Sequence, residues 1–261
     1  MSTVTQRIRE IKSPARFIKP SSLSACHLKA SEELHPMEQE NINPTHMGLA
    51  VDYLTRFSLG KDIKNAFSIS IRGAAVKDML TKSKSLELVG KLLPFIEGLD
   101  DISIAAAYKL VTFDTWVRNP KSAFMYWEDA FEKDPNQITI DNIRIMVHRS
   151  LDFFKKYGPI TKMKITFEPS GYTKTVSSGD GDYLTKDTLW DLKVSKDKPK
   201  SLDTLQLLMY WVMGQHSGQD IFKNITNIGI FNPRLNMVFT YDVSKLPPNI
   251  IKEVEDEVIC Y

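Results

Sequence analysis

The chain has 261 residues, 42% of them hydrophobic and 10% aromatic, which is ordinary globular material for one large domain or two small ones. Two cysteines, Cys26 and Cys260, exclude a four-cysteine zinc or iron–sulfur site and a disulfide framework; with no signal-peptide core and no run of about eighteen apolar residues, a cytoplasmic protein without a membrane partner is expected. The formal net charge of +2 says little about partners, because local patches set the field at a groove more than the total does.

In the first twenty positions Arg7, Arg9, Lys12, Arg16 and Lys19 face only Glu10. Residues 1–43 also carry Pro14, Pro20 and Pro36 with little periodicity, and read as a basic, poorly ordered arm. Such an arm is either a solvated tail or a contact to phosphates. A helical region is expected over 44–158. Met47, Val51, Leu54 and Phe57 share one face at helical spacing. Leu80, Leu86, Val89, Leu92 and Leu93 give a second stripe within 74–98, interrupted near Gly90 and Pro94. Further helices are predicted over 101–117, stopped by Asn119-Pro120, over 123–132, and over 140–157, closed by Gly158-Pro159.

Beyond Pro159 the period changes to two. Residues 163–169, 172–184 and 188–195 read as three strands, with Lys186-Asp187 as a tight connection between the last two. Ser201 caps a helix whose buried stripe is Thr204, Leu205, Leu208, Trp211 and Val212. Two more strands, 227–233 and 236–243, flank a turn, and a helix over 246–259 follows. The order expected for 159–261 is β-β-β-α-β-β-α.

On the strand 188–195, Leu189, Asp191 and Lys193 point one way and Trp190, Leu192 and Val194 the other. If the preceding strand pairs with it as a hairpin, Asp182 reaches the same end of the sheet, and Gly179 and Gly181 suit a bend that re-aims it. Gln206 and Tyr210 lie one turn apart on one face of the next helix. Two carboxylates beside one lysine suit magnesium-dependent phosphodiester chemistry. The acids bind a hard cation, and the lysine steers a water or balances phosphate charge. Alone, an Asp-x-Lys on a strand is more often a surface ion pair; its combination with Asp182 and the helix pair points to a site. Lys196, Lys198 and Lys200 follow in a loop that either guides phosphate or is simply solvated.

Gly179-Asp180-Gly181-Asp182, Asp191-Leu192-Lys193 and Gln206-Leu207-Leu208-Met209-Tyr210 together resemble the PD-(D/E)XK nuclease superfamily. The closest likeness is to its RecB-type branch, with G-x-x-D, D/E-x-K and Q-x-x-x-Y, and it covers about 160–245. The resemblance implies an α/β, restriction-endonuclease-like core: a mixed sheet of about five strands flanked by helices, with an N-terminal helical region contributing to substrate choice. It implies a deoxyribonuclease dependent on Mg2+ or Mn2+, exonuclease or endonuclease. Asp182, Asp191 and the backbone carbonyl of Leu192 would bind the metal. Lys193 would position or activate the attacking water, and Gln206 and Tyr210 would shape the cleft. The family's upstream helical acid and histidine would correspond to Asp52 and His46. Some relatives in this branch hold an iron–sulfur cluster, which two cysteines cannot supply. DNA is the implied partner, with RNA open, and the helical region is a place for a second copy or another protein. The alternative is a nuclease-fold protein that binds nucleic acid or a protein partner without cutting.

Overall fold

The computed structural model describes residues 2–29 and 32–261. The elements begin with β1 (Ser2–Thr3), α1 (Val4–Glu10) and β2 (Ser24–His27). Then come α2 (Pro44–Gly60), α3 (Ile63–Ala66), α4 (Ser68–Thr81), α5 (Ser85–Leu92), α6 (Asp101–Thr112), α7 (Asp114–Arg118), α8 (Pro120–Glu132) and α9 (Gln137–Tyr157). The remainder is β3 (Lys162–Ile165), β4 (Val176–Ser178), β5 (Gly181–Leu184), β6 (Thr188–Leu192), α10 (Ser201–His216), β7 (Asn227–Asn232), β8 (Met237–Asp242) and α11 (Pro248–Glu253). The chain divides into two units, Met1–Lys29 with Phe153–Tyr261, and Ala30–Asp152. These limits replace the expected divisions after residues 43 and 158. Among the described residues no helix is long and apolar enough to cross a membrane.

The second unit is helical. Asn43 starts α2 by accepting the Thr45 amide, and Pro44 sits where its missing N–H costs nothing. Met47, Val51, Leu54 and Phe57 are buried, as the spacing requires. The stripe over 74–98 does not make one helix. Asp78 accepts the amides of Ser85 and Leu86 at 2.5 and 2.9 Å, so its carboxylate serves the start of α5 and the chain turns between α4 and α5. Leu80 and Leu86 consequently stand exposed. The helix expected over 101–117 breaks at Phe113. The fully buried Asp114 next to the break accepts hydrogen bonds from Tyr53 at 2.5 Å and Ser70 at 2.6 Å, tying α7 to α2 and α4.

The first unit is built on a six-stranded mixed sheet in the order β2-β8-β7-β6-β5-β3, beside a small parallel pair, β1-β4. β6 and β7 run parallel with α10 between them in sequence, and the other neighbours of the large sheet are antiparallel. One sheet face buries Leu184, Leu189, Ile228 and Ile230 against α10 and α1. The other buries Tyr183, Trp190 and Phe231 against Phe153 and Phe154 in the last turns of α9.

Of the poorly ordered arm expected over 1–43, residues 2–29 are part of this unit and 32–43 belong to the second, while residues 1, 30 and 31 lie outside the described residues. Val4, Ile8, Phe17 and Ile18 are buried in the core, Thr204 of α10 donates to the Ile18 carbonyl, and β2 extends the sheet by pairing with β8. Two of its arginines are engaged within the unit. Arg7 donates to the carbonyls of Glu257 and Val258, and Arg16 pairs with Glu253 and Glu257, both at 2.9 Å. The strand expected over 172–184 is also two strands. Tyr172 accepts the Phe167 amide and donates to the Gly179 carbonyl, pinning the intervening loop. The chain passes close to α1 at Gly179, where a Cβ would meet Val4 Cγ2 at 2.7 Å. β4 therefore pairs with β1, and β5 enters the large sheet.

Candidate active site

Strands β5 and β6 pair antiparallel, Leu184 opposite Leu189 and Tyr183 opposite Trp190. One step further in that register sets Asp182 opposite Asp191. Leu184 and Leu189 belong to the core under α10, whereas Tyr183 and Trp190 belong to the opposite core. The strand period of two therefore turns both aspartates toward α10. Asp182 Oδ2 accepts the Leu192 amide at 3.0 Å, so the acid takes over a ladder bond where the two strands diverge. Asp191 is 7% exposed, a burial that a carboxylate tolerates only with partners.

Lys193 follows directly. Its amide continues the parallel ladder to the Phe231 carbonyl at 2.9 Å, which fixes its side chain on the Asp191 face. The ammonium lies 3.2 Å from Asp191 Oδ2, donates to Gln206 Oε1 at 3.1 Å, and stands 3.5 Å from Asp203 Oδ1. Gln206 Nε2 in turn donates to the Tyr210 hydroxyl at 3.0 Å. Positions 203, 206 and 210 on α10 share one face by helical spacing. Tyr210 is held by Phe167, whose ring stacks on it at 5.3 Å and 22°. The five side chains inferred as catalytic thus come together in one unit.

The charges are strongly coupled. Burial works against the Lys193 charge, but Asp191, Asp203 and Asp182 outweigh it and push its pKa up, so it is an ammonium at any working pH. Burial also pushes the Tyr210 hydroxyl up. The Gln206 hydrogen bond opposes this, and Asp191 and Asp182 add to the rise, so Tyr210 is a neutral phenol. Lys193 accordingly acts here as a fixed positive charge and donor, and Tyr210 as a spacer that orients Gln206.

The donors available to a hard cation are few. Among the described residues no three His, Cys, Asp or Glu side chains form a metal-holding group. Asp182 and Asp191 form a two-carboxylate set, and the Leu192 carbonyl belongs to the strand residue between Asp191 and Lys193. Oxygen donors of this number fit Mg2+, which commonly binds one or two carboxylates and keeps waters or substrate phosphates for the rest. Asp52 and His46 lie in the second unit. Asp52 makes a two-point pair with Arg56, at 2.7 and 2.9 Å. His46 places Nε2 3.4 Å from Thr115 Oγ1.

Asp203 is a site residue that the motif spacing does not reveal. An acid in the first turn of a helix reads as a favourable dipole or capping residue, and Asp203 does accept the Lys200 amide at 2.7 Å. Its position three residues before Gln206 was the available signal. Other candidates have local duties: Tyr172 holds its loop, and His216 pairs with Glu255 at 2.8 Å and stacks on Tyr261. Comparison with family models, curated proteins and solved structures gives no match for this chain.

Proposed function

We propose that the protein is a divalent-metal-dependent nuclease of the PD-(D/E)XK type that hydrolyses phosphodiester bonds in DNA. The observation that carries this reading is the convergence of Asp182 and Asp191 on one sheet face, with Lys193 held 3.2 Å from Asp191 and fixed by Gln206. The mixed sheet, covered on both faces in the first unit, supports a restriction-endonuclease-like core.

In this reading Asp182, Asp191 and the Leu192 carbonyl would hold Mg2+ or Mn2+, and the ion, when bound, would supply polarisation of the phosphate and a more nucleophilic water. The chain's own residues supply placement and charge. Lys193 presents its ammonium to the phosphate oxygens, where negative charge grows as water adds. Gln206, itself positioned by Tyr210, sets where that ammonium sits. Water forms the new P–O bond and gives up a proton to solvent, the bond to the departing sugar oxygen breaks, and that oxygen takes up a proton from solvent.

The test is incubation with linear and circular DNA in Mg2+, in Mn2+ and in chelator. Native protein should cut only with metal. Asp191→Ala and Lys193→Ala should each lower the rate by at least about a hundredfold, the scale of losing one transition-state charge partner, while far-UV circular dichroism stays native. Binding of DNA without cutting under every metal would instead favour a nuclease-fold protein that no longer cleaves.

A further inference from the structure

A cavity of about 210 Å3 lies next to the acid pair, at the carboxyl ends of the parallel strands β6 and β7 and the N-terminal end of α10. Lys193, Lys198 and Lys200 are among its lining residues, and Val194, Pro199 and Ile230 supply apolar wall. Two aspartates also line it, and both are engaged. Asp197 pairs with Lys200 at 2.7 Å, and Asp203 faces Lys193 and accepts the Lys200 amide. Lys198 makes no ion pair among the described residues, so its ammonium is the lining charge left without an acid of its own. The wall is fixed rather than loose: Asn232, 1% exposed at the end of β7, donates to the Ser195 carbonyl at 2.8 Å and accepts the Arg234 amide at 3.0 Å.

The carboxyl ends of parallel strands are where open α/β sheets commonly take ligands, and a helix N-terminus favours an anion there. Lys193 belongs both to this cavity and to the acid pair. We propose that the cavity is a phosphate subsite, which holds the phosphate next to the reacting phosphodiester and so sets the register of the nucleic acid. That the ligand is a nucleic acid rests on the nuclease reading; that the cavity takes a phosphate group does not. The group is either a backbone diester or a terminal monoester, two sources of one chemistry.

The experiment measures binding of a short single-stranded oligodeoxynucleotide, labelled at its 3′ end, to the full chain in chelator, by fluorescence anisotropy across a salt series. Probes with a 5′-phosphate and with a 5′-hydroxyl are compared, and inorganic phosphate serves as competitor. The double variant Lys198→Ala, Lys200→Ala should bind about tenfold more weakly, with the slope of log K against log salt reduced by about 0.7 for each phosphate that is no longer neutralised. Lys198→Arg, Lys200→Arg should restore both. A weakening seen only with the 5′-phosphate probe assigns a terminal monoester, and equal weakening of both probes assigns a backbone diester. Native-like affinity and slope in the alanine variant, or no binding by the native protein, overturns the subsite. DNA cleavage by the native protein is scored separately. Cutting with an unaffected alanine variant leaves the nuclease reading standing without this subsite. Binding that depends on the two lysines, without cutting, leaves the subsite without the nuclease reading.

Discussion

Lys193 is held from two elements at once, by Asp191 at the end of its own strand and by Asp203 and Gln206 on α10. Loss of one partner therefore displaces the ammonium instead of freeing it. Asp203→Asn keeps an acceptor for the Lys200 amide and removes one charge from the lysine's surroundings. Cleavage should fall about tenfold to a hundredfold, the effect of a reactive group misplaced by about an ångström, with little change in melting temperature. A native rate in this variant would mean that Asp203 caps the helix and nothing more. His46 offers a test independent of cleavage. It is buried, its Nδ1 has no hydrogen-bond partner among the described residues, and burial lowers its pKa. The unfolded chain therefore takes up this proton first as pH falls. The stability present above about pH 6.5 is lost on acidification through the lower folded value. Melting temperature should drop between about pH 7.5 and 5.5, and drop less in His46→Phe; parallel curves for the two proteins would exclude His46 as the source. Asp191 and Lys193 were legible in the sequence because one strand's alternation fixes their common face, and Asp182 joins them only through the hairpin pairing of β5 with β6. Asp203 was not, because its role depends on how α10 lies on the sheet.

At the scale of elements, the site depends on how closely β6 and β7 approach. Trp190 lies over Gly229 of the neighbouring strand, where a Cβ would stand 2.3 Å from Cζ3 and 2.5 Å from Cε3 of the indole, and 3.1 Å from the Phe239 carbonyl. The ring is packed by Phe153 and Tyr157, and Trp190 is only 3% exposed. Gly229→Ala should therefore destabilise the protein by about 1–3 kcal/mol, the usual cost of overpacking, seen as a lower urea midpoint; an unchanged midpoint would show that the indole yields. Elements with a strong period and clear stops, α2 and α10 above all, could be read directly. β2 could not, because Ser24, Ala25, Cys26 and His27 are all exposed and carry no alternation; only pairing with β8 makes them a strand. The turn between α4 and α5 was hidden for a related reason. Asp78 reaches beyond its own helix to serve the next, and the apolar spacing on either side runs through the break.

At the scale of the whole molecule, the first unit is closed by segments far apart in sequence. Residues 2–18 contribute Val4, Ile8, Phe17 and Ile18 to the core beneath α10, and Arg7 and Arg16 reach the C-terminal residues 253–258. Composition conceals this, since the four buried residues are scattered among basic and proline-rich sequence and their partners lie more than a hundred residues away. Magnitudes separate the two contributions. Burying four large apolar side chains is worth roughly 6–12 kcal/mol at about 1.5–3 kcal/mol each, comparable to the whole stability of a typical domain, about 5–15 kcal/mol. The Arg16 ion pairs, with an arginine side chain 44% exposed, belong to a class worth about 0–1 kcal/mol. Deleting residues 2–18 should therefore abolish cooperative unfolding and leave an aggregating or dye-binding protein, whereas Arg16→Ala should unfold within about 1 kcal/mol of native. A truncated chain that still melts cooperatively would make the segment an accessory to the fold. The same deletion bears on the site, because Gly179, three residues before Asp182, packs on Val4 and near the Tyr210 ring. Removing α1 takes away the surface that bends the chain into β5. A truncated protein that folds but no longer cleaves would thus place the N-terminal segment among the elements that position Asp182.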